Sequence, residues 1–189
     1  MIITINGKPG SGKSSVAMLL SERLNLTYID IGELRRGAAK ERNMTLEEYN
    51  QWGETTDETD KDVDSYQKKL GETRDNIVIS GRTSFYFIPH SIKILLNVYT
   101  HTAAERIFND KKLSQRNEAK DIASVEAIEN ALRERLRSDA VRYKKYYDLD
   151  VYDPSHYDLV LDTSTISIEE TFDKIIEFLQ SKGLIEGRS

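Results

Sequence analysis

Ile2-Ile3-Thr4-Ile5-Asn6-Gly7-Lys8-Pro9-Gly10-Ser11-Gly12-Lys13-Ser14-Ser15 is the stretch on which the fold turns. Its first part, Ile2 to Asn6, is a short β-rich run. Gly7 to Ser14 then fits G-x-x-x-x-G-K-[ST]. From Ser14 to Leu24 the apolar residues Val16, Leu20 and Leu24 recur at helical spacing, with Ala17 on the same side. The chemistry needs these residue types. Glycines let the backbone wrap a phosphate and aim successive N–H groups at it. Lys13 brings a mobile charge to the β- and γ-phosphates, and the Ser14 hydroxyl is a ligand for Mg²⁺. A helix that starts at this point adds its positive dipole end. An ordinary glycine-rich turn is the alternative reading, and the strand before and amphipathic helix after argue against it. The pattern implies binding of a nucleoside triphosphate together with Mg²⁺.

Outward from this loop, Thr27–Asp30 reads as a second short strand, Glu33–Arg42 as a helix, and Asn76–Ser80 as a third strand ending at Gly81. Ile92–Tyr99 and Asp158–Asp162 are the fourth and fifth. Short apolar strands separated by helical stretches predict an α/β fold whose parallel sheet is covered on both faces. A long helix from about Ser124 to Tyr147 carries an apolar seam through Val125, Ile128, Leu132, Leu136, Tyr143 and Tyr147. No internal repeat or Pro- or Gly/Ser-rich linker breaks the 189 residues, which suit a single domain.

Composition removes several classes of function. The 27 Lys and Arg against 32 Asp and Glu leave a net charge of −5, which argues against a protein that grips a nucleic-acid backbone. With no cysteine, a disulfide framework, a zinc–thiolate site and a cysteine nucleophile are all excluded. His90, His101 and His156 lack metal-ligand spacing, and Trp52 reads as a packing residue. No stretch approaches the roughly 18 apolar residues of a membrane span. Met1 leads straight into Ile-Ile-Thr-Ile rather than a signal peptide. A cytoplasmic monomer with no membrane or nucleic-acid partner is expected. Charge is uneven: residues 41–75 hold 11 acidic and 5 basic side chains, and residues 101–147 hold 11 basic and 8 acidic ones. Most of these read as solvated surfaces.

The phosphate loop does not name an acceptor. Arg35 and Arg36 follow the second strand and its turn glycine, Gly32. Read alone they are solvated helix charges. Arg82, after Gly81, stands at the carboxyl end of the third strand, where open parallel sheets hold ligands; its alternative is an ion pair with the acidic 41–75 segment. Arg135, Asp139 and Arg142 share one helical face by steps of four and three. Such a ladder is a common surface decoration, yet two guanidiniums held by a carboxylate also suit a phosphate.

Taken together, Gly7–Ser15, Tyr28-Ile29-Asp30-Ile31-Gly32 with Arg36, and Ile79-Ser80-Gly81-Arg82 resemble the cytidylate (CMP) kinases. So do Arg135-x3-Asp139-x2-Arg142 followed by Tyr143-Lys144-Lys145-Tyr146-Tyr147, and Tyr157-Asp158-Leu159-Val160-Leu161-Asp162-Thr163-Ser164. The likeness is to the short, archaeal-type form of these P-loop nucleoside monophosphate kinases and runs from Met1 to about Leu179. Residues 43–75 match loosely, through Thr45 to Tyr49 and the pair Asp60 and Asp64.

This resemblance implies a P-loop fold with a five-stranded parallel sheet, an NMP-binding segment over about 33–72 and a LID over about 103–123. It implies transfer of the γ-phosphoryl group of MgATP to CMP or dCMP. Gly7, Lys8, Pro9, Gly10, Ser11, Gly12, Lys13, Ser14 and Ser15 would bind ATP, with Arg106 beside them and Ser14 on the metal. Arg36 would grip the acceptor phosphate, Arg82 the pyrimidine nucleotide, and Asp30 would lie near the acceptor. Arg135, Asp139 and Arg142 would serve acceptor and transferring phosphate, with Lys13, Arg135 and Arg142 catalytic. The LID departs from the family pattern: Asp110 stands where an arginine is expected, which leaves Arg106 or Arg116 as the LID arginine. Asp148 replaces the usual turn glycine after Tyr146 and Tyr147. Two rival readings remain at this stage, a P-loop kinase for another acceptor (UMP, AMP or a small metabolite such as shikimate) and an ATP-binding regulatory module without catalysis.

Overall fold

A computed structural model describes residues 1–110 and 124–186. The expected LID therefore falls largely, and Arg116 wholly, outside the described residues. The strands are β1 (Ile2–Gly7), β2 (Thr27–Asp30), β3 (Ile77–Ser80), β4 (Ile92–Asn97) and β5 (Leu159–Asp162). They pair in parallel in the order β2-β3-β1-β4-β5. β1 lies at the centre, and all six of its residues are buried.

Alternation along β1 divides its side chains between two cores. Ile3 and Ile5 pack with Val16, Ala17 and Leu20 of α1 (Lys13–Leu24) and with Phe172, Ile175 and Leu179 of the C-terminal helix. Ile2 points the other way, to a cluster of Ile31, Leu70, Ile77, Ile79 and Ile88. Each such isoleucine contributes about 1.5–3 kcal/mol on burial, so both faces of the sheet are fixed by the register of one strand. Between β2 and β3 the chain forms α2 (Ile31–Glu41), α3 (Leu46–Gly53) and α4 (Glu58–Thr73). The remaining helices are α5 (Ser84–Phe87), α6 (Thr100–Asn109), α7 (Val125–Tyr147) and α8 (Ile168–Ser181), with a 3₁₀ turn at Pro154–His156.

The long helix begins one residue later than the apolar pattern implied, because Ser124 is its N-cap and accepts from Ala127 N. At its other end Asp148 takes the left-handed conformation (φ 53°, ψ 38°), so the turn forms without glycine. Helix α2 starts at Ile31, two residues earlier than expected, since Asp30 caps it by accepting from Gly32 N at 2.8 Å. The fourth strand ends at Asn97 rather than Tyr99, where Thr163 N bonds back to Asn97 O and α6 begins. Among the described residues no helix is long and apolar enough to cross a membrane.

Candidate active site

The carboxyl ends of β1, β2 and β3 converge on one cavity of about 1080 Å³. Its first wall is the loop after β1. Gly10 and Gly12 have φ of +78° and +82°, a backbone that L side chains rarely adopt. A Cβ on Gly12 would also stand 2.6 Å from Ile168 Cδ1. Pro9 through Ser15 line the cavity, with Lys13 and Ser14 in the first turn of α1. Gly7 and Lys8, expected to touch the nucleotide, do not line it. Gly7 is the last residue of β1, where a Cβ would come within 2.6 Å of Leu96 O, and Lys8 O accepts from Ser11 N to close the loop.

Arg106 of α6 lines the same end. Its guanidinium donates to Thr163 O at 2.6 Å and reaches Gly10 O at 3.4 Å. It therefore ties the phosphate loop to the segment after β5. Asp162 stands beside it, its carboxyl held low mainly by its bonds with Ser164.

The opposite wall carries charge from α2, α4, the β3 turn and α7. Asp30 pairs with Arg36 at 3.3 Å, and both line the cavity. Arg82 Nε pairs with Asp139 at 2.6 Å and lies 3.3 Å from the Tyr152 hydroxyl. The expected alternative partner, the acidic 41–75 segment, is not the one it takes. Burial pushes the Tyr152 hydroxyl up to about 12 against the pull of Arg82. Arg135 also lines the cavity.

Asp139 and Arg142 are each only 1% exposed and stand behind the wall rather than in it. The resemblance places both on the acceptor, whereas here they do not line the cavity. Arg142 Nη2 donates to Asp139 at 2.7 Å, while Nη1 lies 3.1 Å from both oxygens of Asp60. Burial disfavours the Asp139 charge, yet Arg82, Arg142 and Arg135 overcome it and hold the carboxyl below its ordinary range. In a buried network each charge is tolerable only because it is paired.

Arg35 and Asp60 also line the cavity, although the sequence assigns neither of them a role there. Arg35 is nearly buried and, from one guanidinium, bonds Asn50, the Thr59 carbonyl and Asp60. It is not a solvated charge, and its spacing carries the signal: Arg35 lies between Ile31 and Ala39 at helical steps of four, on the one face of α2 that is buried. Asp60 likewise shares the inward face of α4 with Gln67 and Leu70.

The model of the cytidylate kinase-like family matches residues 2–165. A cytidylate kinase of Methanosphaera stadtmanae is 33% identical over 182 residues, covering 96% of this chain and 99% of that relative. One from Methanocella arvoryzae is 38% identical over 164 residues, covering 87% and 88%. Among solved structures, an uncharacterized protein from Eubacterium ventriosum aligns with a TM-score of 0.68 at 18% identity, covering 96% and 99% of the two chains. A shikimate kinase from Bacteroides thetaiotaomicron aligns at 0.64 and 16%, covering 95% and 98%. At those identities the likeness is one of fold. The phosphate loop, the parallel sheet and the family match over residues 2–165 make this chain a member of the cytidylate kinase-like family.

Proposed function

We propose that the chain transfers the γ-phosphoryl group of ATP to CMP or dCMP, giving ADP and the corresponding diphosphate. The observation that carries the reading is the single cavity that holds the phosphate loop at one end and Arg36, Arg82 and Arg135 at the other. One anion fits amides and Lys13, a second fits guanidiniums, and a common space lets them meet. The helices α2–α4 would form the acceptor-binding segment.

Phosphoryl transfer asks for alignment and charge neutralisation more than for covalent help. An acceptor phosphate oxygen is already largely ionised near neutral pH and attacks in line without a general base. Lys13 would follow the charge that develops on the transferring group, and Arg135 would face it from the acceptor side. Asp30 would hold Arg36 ready for the acceptor phosphate. Arg142, bound to Asp60 and Asp139, would act as a positioning residue that ties α4 to α7 and keeps Arg82 oriented through Asp139. Arg106 would wall the nucleotide's far side by bridging Gly10 and Thr163.

Ser14 offers one hydroxyl at the first turn of α1, and no cluster of three acidic, His or Cys ligands exists among the described residues. That donor set fits Mg²⁺ held largely by nucleotide oxygens and water. The ion would neutralise phosphate charge.

A coupled ADP-release assay with CMP, dCMP, UMP, AMP and shikimate tests the assignment. Turnover with CMP or dCMP above the others is expected. ATP binding without turnover of any acceptor would leave a nucleotide-binding module in its place.

A further inference from the structure

Asp64 is a half-buried carboxylate that lines the cavity and has no part in the ion-pair network behind it. Its Oδ2 accepts from the Tyr147 hydroxyl, and its Oδ1 has no hydrogen-bond partner among the described residues. The neighbouring Val63 also lines the cavity and packs against the cluster that contains Ile31, another lining residue. Tyr147 in turn packs against the rings of Tyr143, Phe87 and Tyr86. The carboxylate is therefore backed by an aromatic cluster and flanked by apolar Val63, at the edge of the charged wall that holds Arg35 and Asp60.

This placement constrains its partner. A carboxylate repels phosphate, so Asp64 faces the uncharged part of an acceptor nucleotide and calls for a hydrogen-bond donor there. Apolar side chains such as Ile31 and Val63 suit the face of a flat base. Cytosine carries an amino donor at C4, and uracil carries a carbonyl acceptor at that position. Resting on the phosphotransfer reading above, we propose that Asp64 is the specificity-determining residue of the acceptor site: its carboxylate accepts from the 4-amino group of cytosine and repels the 4-oxo group of uracil.

Burial pushes the Asp64 carboxyl up to about 6. The titratable and charged groups that face it are Tyr147 of α7, Arg35 of α2, and Asp60 and Lys68 of its own helix. Near neutral pH the group is ionised and selects cytosine. As pH falls through about 6 it gains a proton, becomes a donor, and tolerates uracil.

The experiment compares kcat/KM for CMP, dCMP and UMP in the wild type and in Asp64→Asn. Effects on ATP and on the acceptor phosphate are common to CMP and UMP, so they cancel in the ratio of the two. The amide of the variant presents either a donor or an acceptor, so the CMP-to-UMP ratio is expected to fall about tenfold or more, with UMP gaining. In the wild type the same ratio should shrink from about pH 8 to about pH 5. A ratio within about twofold of wild type in an active variant overturns the proposal, because a residue that merely supports Tyr147 would slow both acceptors alike. A change confined to the CMP-to-dCMP ratio overturns it in favour of a sugar contact. If Asp64→Asn does not fold, Asp64→Ser takes its place, and a CMP-to-UMP ratio that it leaves within about twofold of wild type sinks the proposal. Turnover of neither CMP nor UMP by the wild type overturns the phosphotransfer reading and this one with it, whereas CMP turnover with an unmoved ratio removes only this one.

Discussion

The two ends of the cavity are built on opposite principles. At the donor end, seven successive residues, Pro9 to Ser15, line the space, and the backbone does much of the work. At the acceptor end, side chains from α2, α4, the β3 turn and α7 meet, and paired charges are buried behind them. The first end tolerates little change in backbone shape; the second tolerates little change in charge. Affinity for a phosphate can thus come from a local loop or from a long-range cage, and each fails in its own way.

The largest test removes the charge of the donor end. Lys13→Ala is expected to lower kcat by about 10³ or more while costing little stability, because the loop's glycines and amides stay in place. Activity within about tenfold of wild type would erase the contrast. The next change strikes the cage. Asp60→Ala leaves Arg35 and Arg142 buried without their shared carboxylate, and urea unfolding should report a loss of about 3–5 kcal/mol. A loss below about 1 kcal/mol would mean that the network relaxes into water.

A third change adds pH. Asp139 has a carboxyl held below its ordinary range in the folded state, so its contribution is present above the unfolded value and is lost as pH falls through the folded one. Asp139→Asn should therefore cost about 1.5–3 kcal/mol near neutral pH. The difference from wild type should narrow in strong acid, as followed by thermal melts. The smallest effect belongs to the turn after α7. Asp148 carries φ of 53° with an exposed Lys144 pair, and Asp148→Gly should change stability by about 1 kcal/mol or less.

This contrast also explains what the sequence reveals. The donor end is legible because strand, glycine loop and helix are contiguous, and all five strands fall close to where the apolar runs place them. Arg82 is legible from its place after β3. The roles of Arg35 and Asp60 are not, because each is one charge on an otherwise mixed helix, and only packing against α3 and α7 turns those faces inward. The same holds for Asp139 and Arg142: helical spacing puts them on one face, but whether that face meets the cavity or the interior depends on Asp60 arriving from α4. Asp64 stands out only as half of a loose family match with Asp60, and its role is hidden because its partner Tyr147 comes from another helix.

The ion pair between Asp60 and Arg142 spans 82 positions of the chain. On a ribosome adding about 5–20 residues per second, the loop that holds ATP emerges first, and the guanidinium that matches Asp60 follows that carboxylate by roughly 4–16 s. The donor loop, though made early, waits longer for its own support, because Thr163 Oγ1 donates to Ser11 O. With β5 and α8 still to follow the long helix, neither end of the cavity is complete until the last strand has been made.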